Sequence, residues 1–419
     1  MDFFLDSSLF DGPVLIVLYS MVAAGALLLL TTPGSVRRVR TRLVGLAVGA
    51  VGGVILTWLI ADWLDLFGFA PTMVMRIWLA GVGAGLGLLA VVIRQGPLWQ
   101  RIVAGLLVPF LLLAGAAAIN VEFGQFPTLR VLLGLSQVPP LAVPSAGTAR
   151  TVLPSAGSLG SVTIPARVSK FPARQGVVYL PPVALIANAP ALPVLVMLAG
   201  QPGSPSDIFT AGRLGAILND YAQKNGGYAP IVVVPDQLGS PTANPMCVDG
   251  PLGNSASYLT VDVPNWIRAN LNVLKDRRAW TIGGFSQGGT CSSQLGAAYP
   301  EIFGNILDIA GERVPSLGTE QATIDRGFRG SRDAYLAATP ERILARKAPY
   351  ADSTAIFAAG ANDAVFRGYA STLAAAAQAA GIRASYLESP GTAHDWGTVQ
   401  YVARLAVPIL MQRAEARAK

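Results

Sequence analysis

Two architectures in one chain are predicted: a bundle of four membrane-spanning helices, then a domain built on a mostly parallel sheet with helices on both faces. Three observations carry this prediction. Four long apolar stretches are crowded into the residues before 121. From about residue 161 onward, strand-like and helix-like segments alternate. Within that alternation, an apolar run at 280–285 passes through a tight turn into a helix-compatible segment, and the turn reads Gly284-Phe285-Ser286-Gln287-Gly288.

The apolar stretches fall at about 13–31, 43–61, 73–93 and 99–119, each near the ~20 residues needed to cross a bilayer core. A mean hydropathy of +0.48 with only 13% charged residues is too apolar for an ordinary soluble protein. A cleaved signal peptide fits the first stretch poorly, because Asp2, Asp6 and Asp11 precede it without a Lys or Arg. Arg37, Arg38, Arg40 and Arg42 fill the first predicted loop. Arg94 and Arg101 flank the third, whereas the second holds Asp62 and Asp65, with Arg76 just inside the next helix. The positive-inside rule therefore places the first and third loops in the cytoplasm, and everything after Asn120 outside it. Gly45, Gly49 and Gly53 recur every fourth residue, and Gly81, Gly83, Gly85 and Gly87 crowd the following span. Small residues at this spacing allow close approach of helix backbones in lipid; inside a lipid-spanning run with no strand before it, the second cluster is not a dinucleotide loop. The organisation read from the chain is a membrane segment 1–120, a connecting region 121–160 and a second domain 161–419. In the connecting region, 121–135 are apolar enough to lie along the outer membrane boundary. A Pro/Ser/Gly-rich linker follows from Ser136 through Pro139, Pro140, Pro144 and Pro154 to Gly160.

In the second domain, strands are expected at 162–168, 176–180, 194–198, 231–235, 280–285, 305–309, 354–358 and 384–388. Helices are expected at 210–224, 263–274, 287–299, 366–380 and 396–413. Asp262, followed by Val263 and Pro264, reads as a capping carboxylate with a proline in the first turn. The segment between Glu312 and Asp352 interrupts the rhythm and is rich in arginine; it reads either as one wall of a substrate cleft or as a solvated charged surface.

Gly-x-Ser-x-Gly between a strand and a helix is the pattern of a nucleophile elbow. The serine is forced into a strained backbone conformation, so its neighbours must be glycine. Ser286 is thereby the candidate nucleophile, and the amide of Gln287 a candidate oxyanion donor. The chain has a single histidine, His394, in the loop before the last helix. In the chain order Ser…Asp…His, it is the candidate base. The acid is expected at the end of a strand between them: Asp363 fits, Asp352 lies at the wrong end of that strand, and Glu388 is the second choice. A helix cap is the bland reading of Asp363, and Asp395 is expected to cap the last helix. The loop Ala199-Gly200-Gln201-Pro202-Gly203 follows the third strand, where a second oxyanion donor belongs; Pro202 has no N–H, which leaves Gln201 or a neighbour. Cys247 and Cys291 are the only cysteines, and both fall outside the cytoplasm in this topology, so a disulfide between them is expected. One histidine and no Cys/His cluster argue against a zinc site, and no cofactor is expected. The net charge of +7 is spread along the chain rather than gathered in an aromatic-interleaved patch, which argues against a nucleic-acid partner.

Residues Gly284 to Gly288, Asp363 and His394-Asp395-Trp396 resemble the esterase family of the α/β-hydrolase superfamily that includes S-formylglutathione hydrolases, enterochelin esterases and the antigen 85 mycolyltransferases. The resemblance covers about 161–415 and implies an α/β-hydrolase fold with a Ser286, Asp363 and His394 triad. The His-x-Trp sequence is similar to the mycolyltransferase branch. Ala199-Gly200-Gln201 departs from the family's common His-Gly loop. The four-helix anchor makes the chain look like a membrane-bound actinobacterial variant. Three functions follow as expectations: a serine esterase acting outside the cytoplasm on acyl esters of lipids or cell-envelope components; an acyltransferase passing the same acyl group to a sugar or glycerol hydroxyl; or a non-catalytic binding protein retaining the fold.

Overall fold

The structure is a computed structural model and describes residues 2–32, 36–64, 71–135, 138–141 and 151–415. The chain divides into two compact units, Met1–Ser136 and Gln137–Lys419.

The first unit is built from α1 (Pro13–Thr31), α2 (Val36–Thr57), α3 (Met73–Gln95) and α4 (Leu98–Phe123). α2 runs on through a π-helical turn, Trp58–Trp63. The four spans have mean hydropathies of 2.0 to 2.5 and are long and apolar enough to cross a membrane. Their helical ends follow local chemistry. Pro13 opens α1, the Thr72 hydroxyl accepts the Met75 N–H at 3.2 Å, and α4 stops where Gly124 turns left-handed at φ 69°. Beyond it, the Asn120 side chain holds both the N–H and the carbonyl of Phe126, and a short turn of helix forms at Leu129–Leu132.

The glycine spacing is the packing device of this unit. A methyl group on Gly49 would meet the Gly83 carbonyl oxygen at 2.1 Å; one on Gly87 would meet that of Gly45 at the same distance. The backbones of α2 and α3 therefore touch directly, as the i, i+4 spacing predicts. The arginines depart from expectation. α2 begins at Val36, so Arg37, Arg38, Arg40 and Arg42 lie on its first turns rather than in a loop. Arg42 is buried; its guanidinium donates to the Leu29 carbonyl at 2.6 Å and to Gln100 Oε1 at 2.7 Å. It supplies donors to an α1 carbonyl near the helix end that has no intrahelical partner. Asp62 accepts a two-pronged contact from Arg76 at 2.6 and 2.7 Å, while Asp65 lies outside the described residues.

In the second unit, eight strands form one sheet in the order β1-β2-β4-β3-β5-β6-β7-β8. They are β1 (Ser158–Val162), β2 (Gly176–Leu180), β3 (Val194–Leu198), β4 (Ile231–Val234), β5 (Trp280–Phe285), β6 (Asn305–Ile309), β7 (Thr354–Gly360) and β8 (Arg383–Ser389). β2 is antiparallel to both of its neighbours, and the remaining pairs are parallel. β2 to β6 are buried along most of their length, which is why they read as continuous apolar runs.

Several boundaries differ for identifiable reasons. The first strand lies at Ser158–Val162, not at 162–168, because Pro165 cannot extend the ladder. The next backbone N–H groups go elsewhere: those of Val168 and Ser169 donate to the Asp262 carboxylate, each at 2.9 Å. Asp262 is consequently not a helix cap; it ends a π-helical turn, Tyr258–Asp262, ahead of the helix Val263–Asn270. That helix stops short of 274 because Leu192 exchanges backbone hydrogen bonds with Asn272 and Leu274. The helix expected at 210–224 is two, Asp207–Thr210 and Leu214–Lys224, separated where Arg213 adopts φ 51°. Part of the predicted linker is structured as well. Ser158 to Gly160 belong to β1, and Pro139 and Leu141 exchange backbone hydrogen bonds with Ser161; Ser136 and Pro144 lie outside the described residues. The arginine-rich segment forms three short helices, Glu320–Gly327, Arg332–Ala337 and Pro340–Lys347. Apolar residues of this segment, Ile324, Phe328 and Tyr335, pack with Met246 into a small separate core.

The glycine contact between α2 and α3 gives a direct test. Gly49→Leu forces the two helices apart and lowers the thermal unfolding temperature of the detergent-solubilised chain, at a cost of about 1–3 kcal/mol. Gly52→Leu, at a position with nothing within 4 Å, leaves it unchanged. Equal melting of the two variants contradicts this packing.

Candidate active site

β5 leads directly into Ser286, which holds φ 56° and ψ −121°. A non-glycine residue adopts this conformation at a cost of about 1–3 kcal/mol, so the surroundings must impose it. Two contacts do so. A methyl group on Gly284 would meet the Gly288 carbonyl oxygen at 2.2 Å, and one on Gly288 would meet the Leu198 carbonyl oxygen at 2.4 Å. Only glycine at both positions lets the elbow helix Gln287–Ala298 start this close to β3 and β5. The Ser286 N–H donates to the Ile309 carbonyl at 2.9 Å, which ties the bend to β6.

His394 approaches from the loop after β8, and its Nε2 lies 2.9 Å from Ser286 Oγ. Its Nδ1 lies 3.5 Å from Asp363 Oδ2. The loops carrying Asp363 and His394 are joined by backbone: Ala361 N–H donates to the Ser389 carbonyl and Asn362 N–H to the Thr392 carbonyl, both at 2.9 Å. A methyl group on Gly360 would strike the Ala393 carbonyl oxygen at 2.3 Å, so the close approach of these loops also requires glycine. Asp363 serves two partners. Its Oδ1 caps the helix Ala364–Ala379 by accepting the Phe366 N–H at 3.1 Å, while Oδ2 faces the imidazole. Asp395 accepts the Thr398 N–H at 3.0 Å and caps the last helix, Trp396–Glu415. The two other carboxylates weighed for the acid are engaged elsewhere: Asp352 with Arg278, Arg383 and Arg413, and Glu388 with Arg367 and Tyr386.

Gln287 begins the elbow helix, where first-turn N–H groups have no partner within the helix. The loop after β3 runs alongside: a methyl group on Gly200 would lie 3.5 Å from Ser286 Cβ. Gln201, next in that loop, donates its side-chain amide to the Thr242 carbonyl at 2.9 Å and is joined to Pro202 by a cis peptide bond. Cys247 and Cys291 bring their sulfurs to bonding distance, with Cα atoms 5.4 Å apart. The Gln287 side chain reaches both this pair and the Asn244 side chain. Beside it, a shallow depression is lined by the elbow helix and by Glu312, Pro315 and Ser316.

Three supporting groups escaped the sequence analysis. Buried Gln237 donates to the Ala199 carbonyl at 2.6 Å and to Gln287 Oε1 at 3.1 Å, and so links the loops after β3 and β4 to the elbow. Asp236, fully buried, pairs with Arg174, whose guanidinium also reaches the Gly203 carbonyl at 3.0 Å. Asp308, near the end of β6, accepts hydrogen bonds from Ser293 Oγ on the elbow helix and from the Gly311 N–H. A carboxylate inside the apolar run Asn305–Ile309 was the legible signal for it.

Burial pushes the Asp308 carboxyl up to about 6, against the pull of its two hydrogen bonds. An acid with a raised value binds more protons folded than unfolded between about pH 4 and 6, so it makes stability fall as pH rises through that window. Asp308→Asn removes this dependence. Thermal unfolding of the wild type between about pH 4 and 7 loses roughly 3 kcal/mol relative to the variant; parallel pH profiles would contradict the burial of an ionisable acid there.

Residues 173–383 match the family described as "Putative esterase". An uncharacterized protein of Corynebacterium glutamicum is 32% identical over 384 residues, covering 85% of this chain and 86% of the relative. The fold is similar to that of a ferulic acid esterase, with a TM-score of 0.52 and 15% identity over 62% of this chain and 98% of the other. It is also similar to that of an S-formylglutathione hydrolase from Agrobacterium tumefaciens, with a TM-score of 0.51 and 18% identity over 63% and 97%. The match across half of the chain, on a mostly parallel sheet whose fifth strand ends in a strained serine, places this protein in the esterase family of the α/β-hydrolase superfamily, as a carboxylic ester hydrolase.

Proposed function

We propose that this protein is a membrane-anchored serine esterase whose catalytic unit lies outside the cytoplasm and cleaves acyl esters of lipids or envelope components. The observation that carries the reading is the 2.9 Å contact between His394 Nε2 and Ser286 Oγ at a strained bend. In the reaction, His394 takes the Ser286 proton as Oγ attacks the ester carbonyl carbon. The oxyanion of the tetrahedral intermediate is held by the Gln287 N–H and by a donor of the loop after β3, assigned to Gln201. Its collapse breaks the bond to the alcohol oxygen, which leaves with the proton from His394. Water then attacks the acyl-enzyme with His394 again as base, releasing the acid and restoring Ser286. Asp363 holds the imidazole tautomer and stabilises the imidazolium.

The location rests on charge and chemistry. Arg37, Arg38 and Arg40 open α2, while Arg94 and Arg101 flank the turn between α3 and α4. The opposite ends carry Asp62 and Glu122, and Trp58 and Trp63 are exposed there, as side chains at a membrane boundary often are. An even number of crossings returns the chain to the side opposite the arginines, and a disulfide is at home in that compartment. A lipid or envelope ester is the substrate that a tethered catalytic unit meets at the highest local concentration.

A membrane-impermeant fluorophosphonate probe tests nucleophile and location together. It labels the wild type on intact cells and leaves Ser286→Ala unlabelled. Ser286→Ala and His394→Ala each lower kcat against a fatty-acyl ester on the order of 10⁴- to 10⁶-fold, and Asp363→Asn loses less. Labelling that appears only after lysis would refute the location, and labelling of Ser286→Ala would refute the nucleophile.

A further inference from the structure

Two aromatic side chains pack against the His394 ring. The Phe366 ring centroid is 4.1 Å from that of the imidazole, with 40° between the planes; that of Phe285 is 5.0 Å away, with 32° between the planes. Both phenylalanines are fixed in place. Phe285 ends β5 immediately before Ser286 and packs on Trp396 at 5.0 Å. Phe366 is buried, and its N–H is the one that caps onto Asp363 Oδ1. Asp363 Oδ2 stands 3.5 Å from Nδ1, beyond the range of a short charge-assisted hydrogen bond. The two rings therefore add contacts to the imidazole beside that of the carboxylate.

We propose that Phe366 is a positioning residue for ester cleavage: it aims the imidazole at Ser286 Oγ and, through its π face, stabilises the imidazolium formed as the serine proton is taken. The inference rests on His394 being the base. An aromatic ring attracts a cation within about 6 Å of its centroid, more strongly where water is excluded. An imidazole acting as base gains little from this before it takes the proton; the imidazolium formed in the transition state gains more. An interaction stronger in the transition state than in the ground state accelerates the chemical step. The same residue also couples the two loops of the site, because its backbone N–H orients Asp363 while its ring holds His394. A leucine at 366 would keep the apolar burial and lose the π face.

The test uses the full chain in detergent, with phenylalanine analogues carrying one, two or three ring fluorines introduced at position 366. Fluorination weakens the negative ring face in steps while nearly preserving shape. We expect kcat to fall stepwise with fluorine number, to a loss on the order of ten-fold for the most fluorinated ring, with KM and unfolding temperature unchanged. Phe366→Leu falls at least as far, and Phe366→Tyr, which keeps a π face, recovers most of the rate. A kcat that is flat across the fluorinated series, or a loss that follows unfolding temperature alone, overturns the proposal. Failure of the underlying assignment would show separately, as full activity of His394→Ala.

Discussion

The geometry around Ser286 depends on one backbone constraint. The residue is held at φ 56° by two glycines whose Cα atoms lie where no side chain fits, and by a hydrogen bond to β6. The strain is local and small in energy, yet its effect is large in space. It ends β5 abruptly, starts the elbow helix against β3, and leaves the hydroxyl within hydrogen-bonding distance of an imidazole 108 residues later in the chain. Strain of this kind persists only where the surroundings over-determine it. Here the surroundings are β3, β5 and β6, buried along their length and therefore unable to give way.

Behind the bend, a second layer of polar groups fixes the loops that border it. Gln237 bonds to both the Ala199 carbonyl and Gln287; Arg174 joins Asp236 to the Gly203 carbonyl; Asp308 joins the elbow helix to the turn after β6. The Cys247 and Cys291 pair belongs to the same layer. It holds the loop after β4 to the elbow helix, and the adjoining Met246 forms part of the small core of the arginine-rich insertion. The insertion, the cysteine pair and Gln287 thus form one mechanically connected path to the start of the elbow helix. Buried polar groups of this kind are costly unless every member finds a partner.

The helical unit solves a different problem with different means. Its four helices are long and apolar enough to cross a membrane, and they meet through close backbone van der Waals fit. The ladder of Gly45, Gly49 and Gly53 against Gly83 and Gly87 supplies that fit. Arg42 adds a polar staple where α1 ends, satisfying a carbonyl and Gln100 at once. Its place on a helix rather than in a loop follows from the good helix propensity of arginine, which lets α2 start seven residues before its apolar stretch.

Much of this was legible from order and pattern alone. Hydropathy marked four spans, and glycine spacing marked the α2–α3 contact, because both are local properties of consecutive residues. The elbow was equally readable, since its strain demands glycine at fixed offsets from a serine. A single histidine left no competing choice for the imidazole facing Ser286. Other features could not be read in this way. Asp262 looked like a cap and instead holds Val168 and Ser169, because the partner of a carboxylate is chosen by whichever segment folds against it. Pro139 and Leu141 pair with Ser161 although their composition reads as linker, because an edge strand accepts any backbone that can offer a donor and an acceptor. Gln237 and Asp236 carry no motif; their contacts arise only where loops from distant strands converge. Which backbone must bend and which helices must touch can be read along the chain, since sterics act between residues close in sequence. Which side chains surround the serine and the histidine depends on the folded arrangement, since hydrogen bonds and ring contacts act across space.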